Sequence, residues 1–147
     1  MIPDDFILEW QAVAPWVSLG HVEQDLIISR ALVQIFSDRQ LAQKLAFRGG
    51  TALHKIHLER PHRYSEDLDF LQVKPEPIGP TIDLLRSTLD PWLGNPQREL
   101  KQGLVKLVYR FEAYGGKRGK LKIEINPREH FAAREIIRMP FVNAPLF

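Results

Sequence analysis

Cysteine is absent from the 147 residues, which excludes disulfide staples, thiolate zinc sites and a cysteine nucleophile together. No window approaches the roughly 20 uncharged apolar residues of a membrane span. The acidic start Met1-Ile2-Pro3-Asp4-Asp5 has the wrong charge for a secretion signal. Internal repeats and low-complexity tracts are also missing. What remains is an ordinary globular composition, 44% hydrophobic and 26% charged, in a chain of one-domain size. These exclusions lead to the expectation of a soluble, cytoplasmic protein with no membrane partner and a single domain over residues 1–147.

Net charge is only +2, but it is unevenly placed. Residues 1–97 carry 9 Lys/Arg against 13 Asp/Glu, whereas 98–147 carry 11 against 5. An acidic stretch followed by a basic one suits a site that holds cations in one place and a polyanion in another.

Phe6, Leu8, Trp10, Val13 and Trp16 form a short helical segment that Pro15 interrupts, and the spacing of Val22, Leu26, Ile27, Ala31, Leu32, Ile35 and Phe36 predicts a helix near 21–38. A short helical stretch follows at Gln40 to Lys44, then a brief strand, Leu45-Ala46-Phe47, meeting a turn at Gly49-Gly50. Thr51 can cap a helix whose apolar face is Leu53, Ile56 and Leu58 and which Pro61 stops. Alternation in Asp67-Leu68-Asp69-Phe70 predicts a half-buried strand. After the loop 74–80, Pro80 opens a helix bearing Ile82, Leu85, Leu89 and Trp92, which Gly94-Asn95-Pro96 ends. Two strands, about 104–113 and 120–126, are joined as a hairpin across Gly115 to Gly119. This order of elements predicts an α+β domain, a mixed β-sheet flanked by helices.

Three pieces carry chemistry. Paired glycines at Gly49-Gly50 let a backbone approach a ligand closely, and the N-terminus of a helix starting at Thr51 offers unpaired N–H groups, together an anion site suited to a triphosphate. Asp67 and Asp69, two apart on a strand, face one side at a backbone spacing of roughly 7 Å and suit a divalent cation. On the later strand Lys122 and Glu124 also share a face, so a neighbouring strand could add a third carboxylate and a phosphate-binding cation. Taken singly, each piece has a plainer reading: a turn, a solvated acidic face, an exposed strand face. Their order and spacing favour the joint reading.

The segments Phe47-Arg48-Gly49-Gly50-Thr51-Ala52-Leu53-His54-Lys55 and Arg63-Tyr64-Ser65-Glu66-Asp67-Leu68-Asp69-Phe70, with Lys122-Ile123-Glu124-Ile125, resemble the AbiEii/AbiGii toxin family within the nucleotidyltransferase superfamily. The resemblance covers about 45 to 126. It implies a nucleotidyltransferase-like fold, Mg2+ or Mn2+, and transfer of a nucleotidyl group from a nucleoside triphosphate to an acceptor, with tRNA among the acceptors and a cognate antitoxin as partner. Carried onto this chain, it implies that Gly49, Gly50 and Thr51 cradle phosphate, with Ser65 and Arg63 supporting the loop. Asp67, Asp69 and Glu124 would hold metal, and Lys122 would contact phosphate. Family members usually continue into a helical region with another lysine and an Arg-Asp motif, which the sequence ending at Ala144-Pro145-Leu146-Phe147 does not match. The chain therefore reads as a fragment or as a shortened relative.

Competing constellations are weaker. His54 and His57, three apart with His62 beyond, allow a transition-metal site or simply a helix exposing histidines. Ser65 lacks a nucleophile-elbow context. A nucleotide-sugar transferase could use Asp67-x-Asp69, but the preceding glycine turn favours nucleotidyl transfer. The hairpin residues Lys117, Arg118 and Lys120, beside Tyr109 and Tyr114, read as a solvated turn or as a polyanion contact. A catalytically silent module of the same fold, binding nucleotide, nucleic acid or a partner protein, is the remaining alternative.

Overall fold

Burial alternates residue by residue over 67–70, 104–107 and 120–126, and that alternation sets the architecture, while Leu71 and Val108 are buried outside the main core cluster. The computed structural model describes residues 2–12, 19–48 and 67–127. Its five strands are β1 (Leu45–Arg48), β2 (Asp67–Gln72), β3 (Gln97–Lys101), β4 (Leu104–Glu112) and β5 (Arg118–Asn126), in one sheet ordered β1-β2-β5-β4-β3. β2 and β5 run parallel, and the other neighbours pair antiparallel. The described helices are α1 (Asp4–Trp10), α2 (Leu19–Ser37), α3 (Arg39–Lys44) and α4 (Gly79–Leu93). This is the mixed sheet with helices that the sequence predicts.

One face of the sheet is apolar. Leu68 and Phe70 of β2, Leu107 and Tyr109 of β4, and Leu121, Ile123 and Ile125 of β5 join Leu26, Ala31 and Ile35 of α2 and Ile82, Leu85 and Leu89 of α4 in one core. Phe70 meets Phe47 of β1 at 5.6 Å and Phe36 of α2 at 6.0 Å between ring centroids, which ties the two strands to the helix. Helix starts follow local chemistry. The Asp38 side chain accepts from the Leu41 amide at 3.0 Å and caps α3, while Pro80 stands in the first turn of α4.

The first half of α2 is buried even at polar positions, and each of three side chains finds a partner. Asp25 accepts from the Trp10 indole at 2.7 Å, Gln24 donates to the Lys120 carbonyl at 2.9 Å, and Glu23 accepts from the Tyr114 amide at 2.8 Å. The helix thereby clamps α1, β5 and the β4–β5 turn, because a buried polar atom left unbonded would cost stability.

Two features differ from the sequence reading. β3 is a fifth strand where the sequence predicts none. All five of its residues are exposed, so it has no hydrophobic alternation to read; it is held as an edge strand by pairing to β4 through a two-residue turn at Gln102 (φ 52°) and Gly103 (φ 79°). The β4–β5 turn also falls earlier than predicted, on Tyr114–Gly116, where Gly115 and Gly116 take positive φ; β5 therefore starts at Arg118. Gly119 lies inside the strand beneath the Phe111 ring, which a Cβ there would strike. The helix expected to follow Thr51 lies outside the described residues.

Candidate active site

The same alternation that buries Leu68 and Phe70 turns Asp67 and Asp69 to the opposite face, half-buried. Parallel pairing sets Asp67 opposite Lys122 and Asp69 opposite Glu124. On the other side of β2, Arg48 is in register with Asp69; on the other side of β5, Lys106 is in register with Glu124. A single row across four strands therefore reads Arg48, Asp69, Glu124, Lys106, and the next holds Asp67 and Lys122. The four sequence-predicted residues inside the described segments, Asp67, Asp69, Lys122 and Glu124, are all brought to one patch. Because β1 ends at Arg48, the covalent link to Gly49 starts in the carboxylate row itself. Gly49, Gly50, Thr51, Arg63 and Ser65, with His54, His57 and His62, lie outside the described residues.

Electrostatics divide the two facing carboxyls. Burial, a hydrogen bond with Glu124, and the negative charges of Glu124 and Asp67 push Asp69 up to about 6, against the smaller opposing pull of Arg48. Glu124 moves the other way: burial raises it, but hydrogen bonds with Lys106 and Asp69 and the positive charges of Lys106 and Lys122 hold it below the usual carboxylate range. Lys106 Nζ lies 3.1 Å from Glu124 Oε1, and this contact raises the lysine in turn. Of the two carboxyls, Asp69 is therefore the one that takes up a proton first as the pH falls toward 6.

Sequence reasoning missed Lys106 and Arg48 as members of this patch. Lys106 reads as one polar residue in an alternating strand, and only the true position of the β4–β5 turn sets it opposite Glu124.

The donors fit a hard divalent cation: they are anionic oxygens, and their mutual repulsion, visible in the raised Asp69, is what a cation would relieve. Among the described residues no three His, Asp or Glu side chains are gathered tightly enough to hold a metal by themselves. Magnesium asks for less than such a cage, since it keeps water and substrate phosphate among its ligands.

Solved nucleotidyltransferases share this fold. A Helicobacter pylori protein described as a nucleotidyltransferase is 22% identical, with a TM-score of 0.56 over 80% of this chain and 49% of its own. JHP933 from Helicobacter pylori is 21% identical, with a TM-score of 0.54 over 80% of this chain and 48% of its own. MenT4, a nucleotidyltransferase toxin from Mycobacterium tuberculosis H37Rv, is 17% identical, with a TM-score of 0.53 over 87% of this chain and 44% of its own. The chain spans about half the length of these relatives, 44–49%. No curated protein is a significant match. The chain belongs to the family of the AbiEii nucleotidyl transferase toxin of Type IV toxin–antitoxin systems, whose model matches residues 30–145. Among the described residues no helix is long and apolar enough to cross a membrane.

Proposed function

We propose that the chain carries the nucleotidyl-transfer site of a toxin, moving a nucleotidyl group from a nucleoside triphosphate to a hydroxyl of an acceptor such as tRNA, and that a cognate antitoxin restrains it. The observation that carries this reading is the row in which Asp69 and Glu124 face each other on parallel strands beside Asp67, away from the core. Asp67 and Asp69, completed by Glu124, would hold Mg2+ or Mn2+. When bound, the cation would neutralise the triphosphate and stabilise the attacking and leaving oxygens of an in-line displacement.

The residues of the chain do the rest. Lys122, in register with Asp67, contacts a phosphate oxygen. Gly49, Gly50 and Thr51 supply amide donors to the triphosphate, and Arg63 and Ser65 support that loop. Lys106 fixes Glu124 and offsets its charge. In the transfer, a bond forms from the acceptor oxygen to the α-phosphorus while the bond to the pyrophosphate oxygen breaks, and the hydroxyl proton passes to a carboxylate of the Asp69–Glu124 pair. Catalysis is chiefly positioning and charge neutralisation.

Incubating the protein with labelled nucleoside triphosphates, magnesium and total tRNA tests this. Label on RNA is the expected result. With all four triphosphates offered, an absence of label on RNA, coupled with intact nucleotide binding, would favour the silent binding module.

A further inference from the structure

We infer that the non-core face of β4 and β5, running outward from the carboxylates, is a track for the sugar-phosphate backbone of a single-stranded stretch of RNA, with Lys120, Arg110 and Arg118 as its phosphate contacts. The inference rests on the nucleotidyl-transfer reading, which requires an acceptor to enter beside Asp67.

Register and burial carry it. Leu121 and Ile123 are in the core, so Arg118, Lys120 and Lys122 lie on the face of Asp67, Asp69 and Glu124. On β4, Leu107 and Tyr109 are in the core, so Lys106 and Arg110 share that same face. Arg110 is paired in register with Lys120, and Lys122 with Asp67. Rows on one face of a strand repeat about every 7 Å, so the basic rows at 122, 120 and 118 extend about 20 Å from the Asp69–Glu124 row. A strip of regularly repeated cations only one or two side chains wide suits one phosphate backbone, not the two of a duplex.

These cations are available. Arg110 donates to the neutral Gln97 side chain at 2.9 Å. Among the described residues none of Arg110, Arg118 and Lys120 makes an ion pair, in contrast to Lys106 with Glu124. Glu112, opposite Arg118 in register, carries its Oε1 over Gly116, 4.0 Å from where a Cβ would stand. Tyr114, 38% exposed at the far end, offers a ring on which a base can stack. Tyr109, named with it from the sequence, cannot serve: it is fully buried and its hydroxyl donates to Asp90 at 2.7 Å.

The test is fluorescence anisotropy of a labelled single-stranded RNA, with a duplex of the same sequence for comparison, at several salt concentrations and without nucleotide. Wild type is compared with the double variant Arg118→Gln, Lys120→Gln and with a control, Arg39→Gln, Lys74→Gln, also at exposed positions. Wild type should prefer the single strand. The double variant should bind several-fold more weakly, with a salt slope shallower by about 1.4, at about 0.7 per lost phosphate contact. The control should bind as wild type, and all three should melt alike. Unchanged affinity and slope in the double variant, an equal loss in the control, or no RNA binding by wild type would overturn the track. Because binding is read without nucleotide, a protein that binds RNA through these residues yet transfers nothing would sink the transfer reading and leave the track standing.

Discussion

On β5, Leu121, Ile123 and Ile125 are fully buried, whereas Lys122 and Glu124, interleaved with them, are half-buried on the other face. β2 repeats the contrast, with Leu68 and Phe70 in the core and Asp67 and Asp69 turned away. The two faces answer to different demands although the same backbone carries both. The helix-covered face is neutral and close-packed, and its worth is stability. The opposite face places two carboxyls in contact and raises one of them, an arrangement that folding alone does not favour.

If that division is correct, substitutions on the two faces should have opposite signatures. Asp69→Asn should lower transfer by about 10²–10³-fold or more, the scale of removing a principal electrostatic element, while the melting temperature stays level or rises because a strained carboxylate is gone. A parallel fall in stability would erase the distinction. Ile123→Ala, one residue from Glu124 but in the core, should lose about 2–5 kcal/mol in denaturant unfolding and keep its activity per folded molecule. Normal stability in that variant would mean that the buried face is not the source of cohesion.

Tyr109→Phe sharpens the same point at smaller scale. Burial and the bond to Asp90 hold this phenol well above its usual range, so it is un-ionised at neutral pH and donates its proton to the Asp90 carboxylate. Losing that bond should cost about 1–2 kcal/mol with transfer unaffected.

The pH response is the fourth effect. Asp69 titrates near 6 in the folded chain, against 3.8 for the free side chain. Between those values the folded state holds a proton that the unfolded state has released, so this group makes stability fall as pH rises through the window, and its contribution is flat above it. A cation must displace that proton, so Mn2+ affinity should climb with pH to about 6 and then level off. Asp69→Asn should remove both slopes. Unfolding curves and metal titrations between pH 4 and 8 would show whether it does.

Much of this was legible in the residues because burial alternation is local. Asp67-Leu68-Asp69-Phe70 announces its own faces, and the α2 periodicity is long enough to fix a helix. β3 was illegible because an exposed edge strand of Gln, Arg, Glu, Leu and Lys has no buried side to leave a pattern. The roles of Lys106 and Arg48 were hidden for another reason. Cross-strand partners depend on where turns fall, and placing the β4–β5 turn two residues late moves every pairing. The parallel pairing of β2 with β5, which brings Glu124 to Asp69, joins segments more than fifty residues apart that no local pattern connects. There the family resemblance supplied what periodicity could not.

Electron paramagnetic resonance of Mn2+ at pH 7, with a non-hydrolysable nucleoside triphosphate present, bears most directly on the carboxylate patch. Wild type should deplete the free-ion signal beyond a control of nucleotide alone, in proportion to protein, and folded Asp69→Asn should add nothing to that control. Equal depletion by the two proteins would contradict the assignment of this face as the cation and triphosphate site.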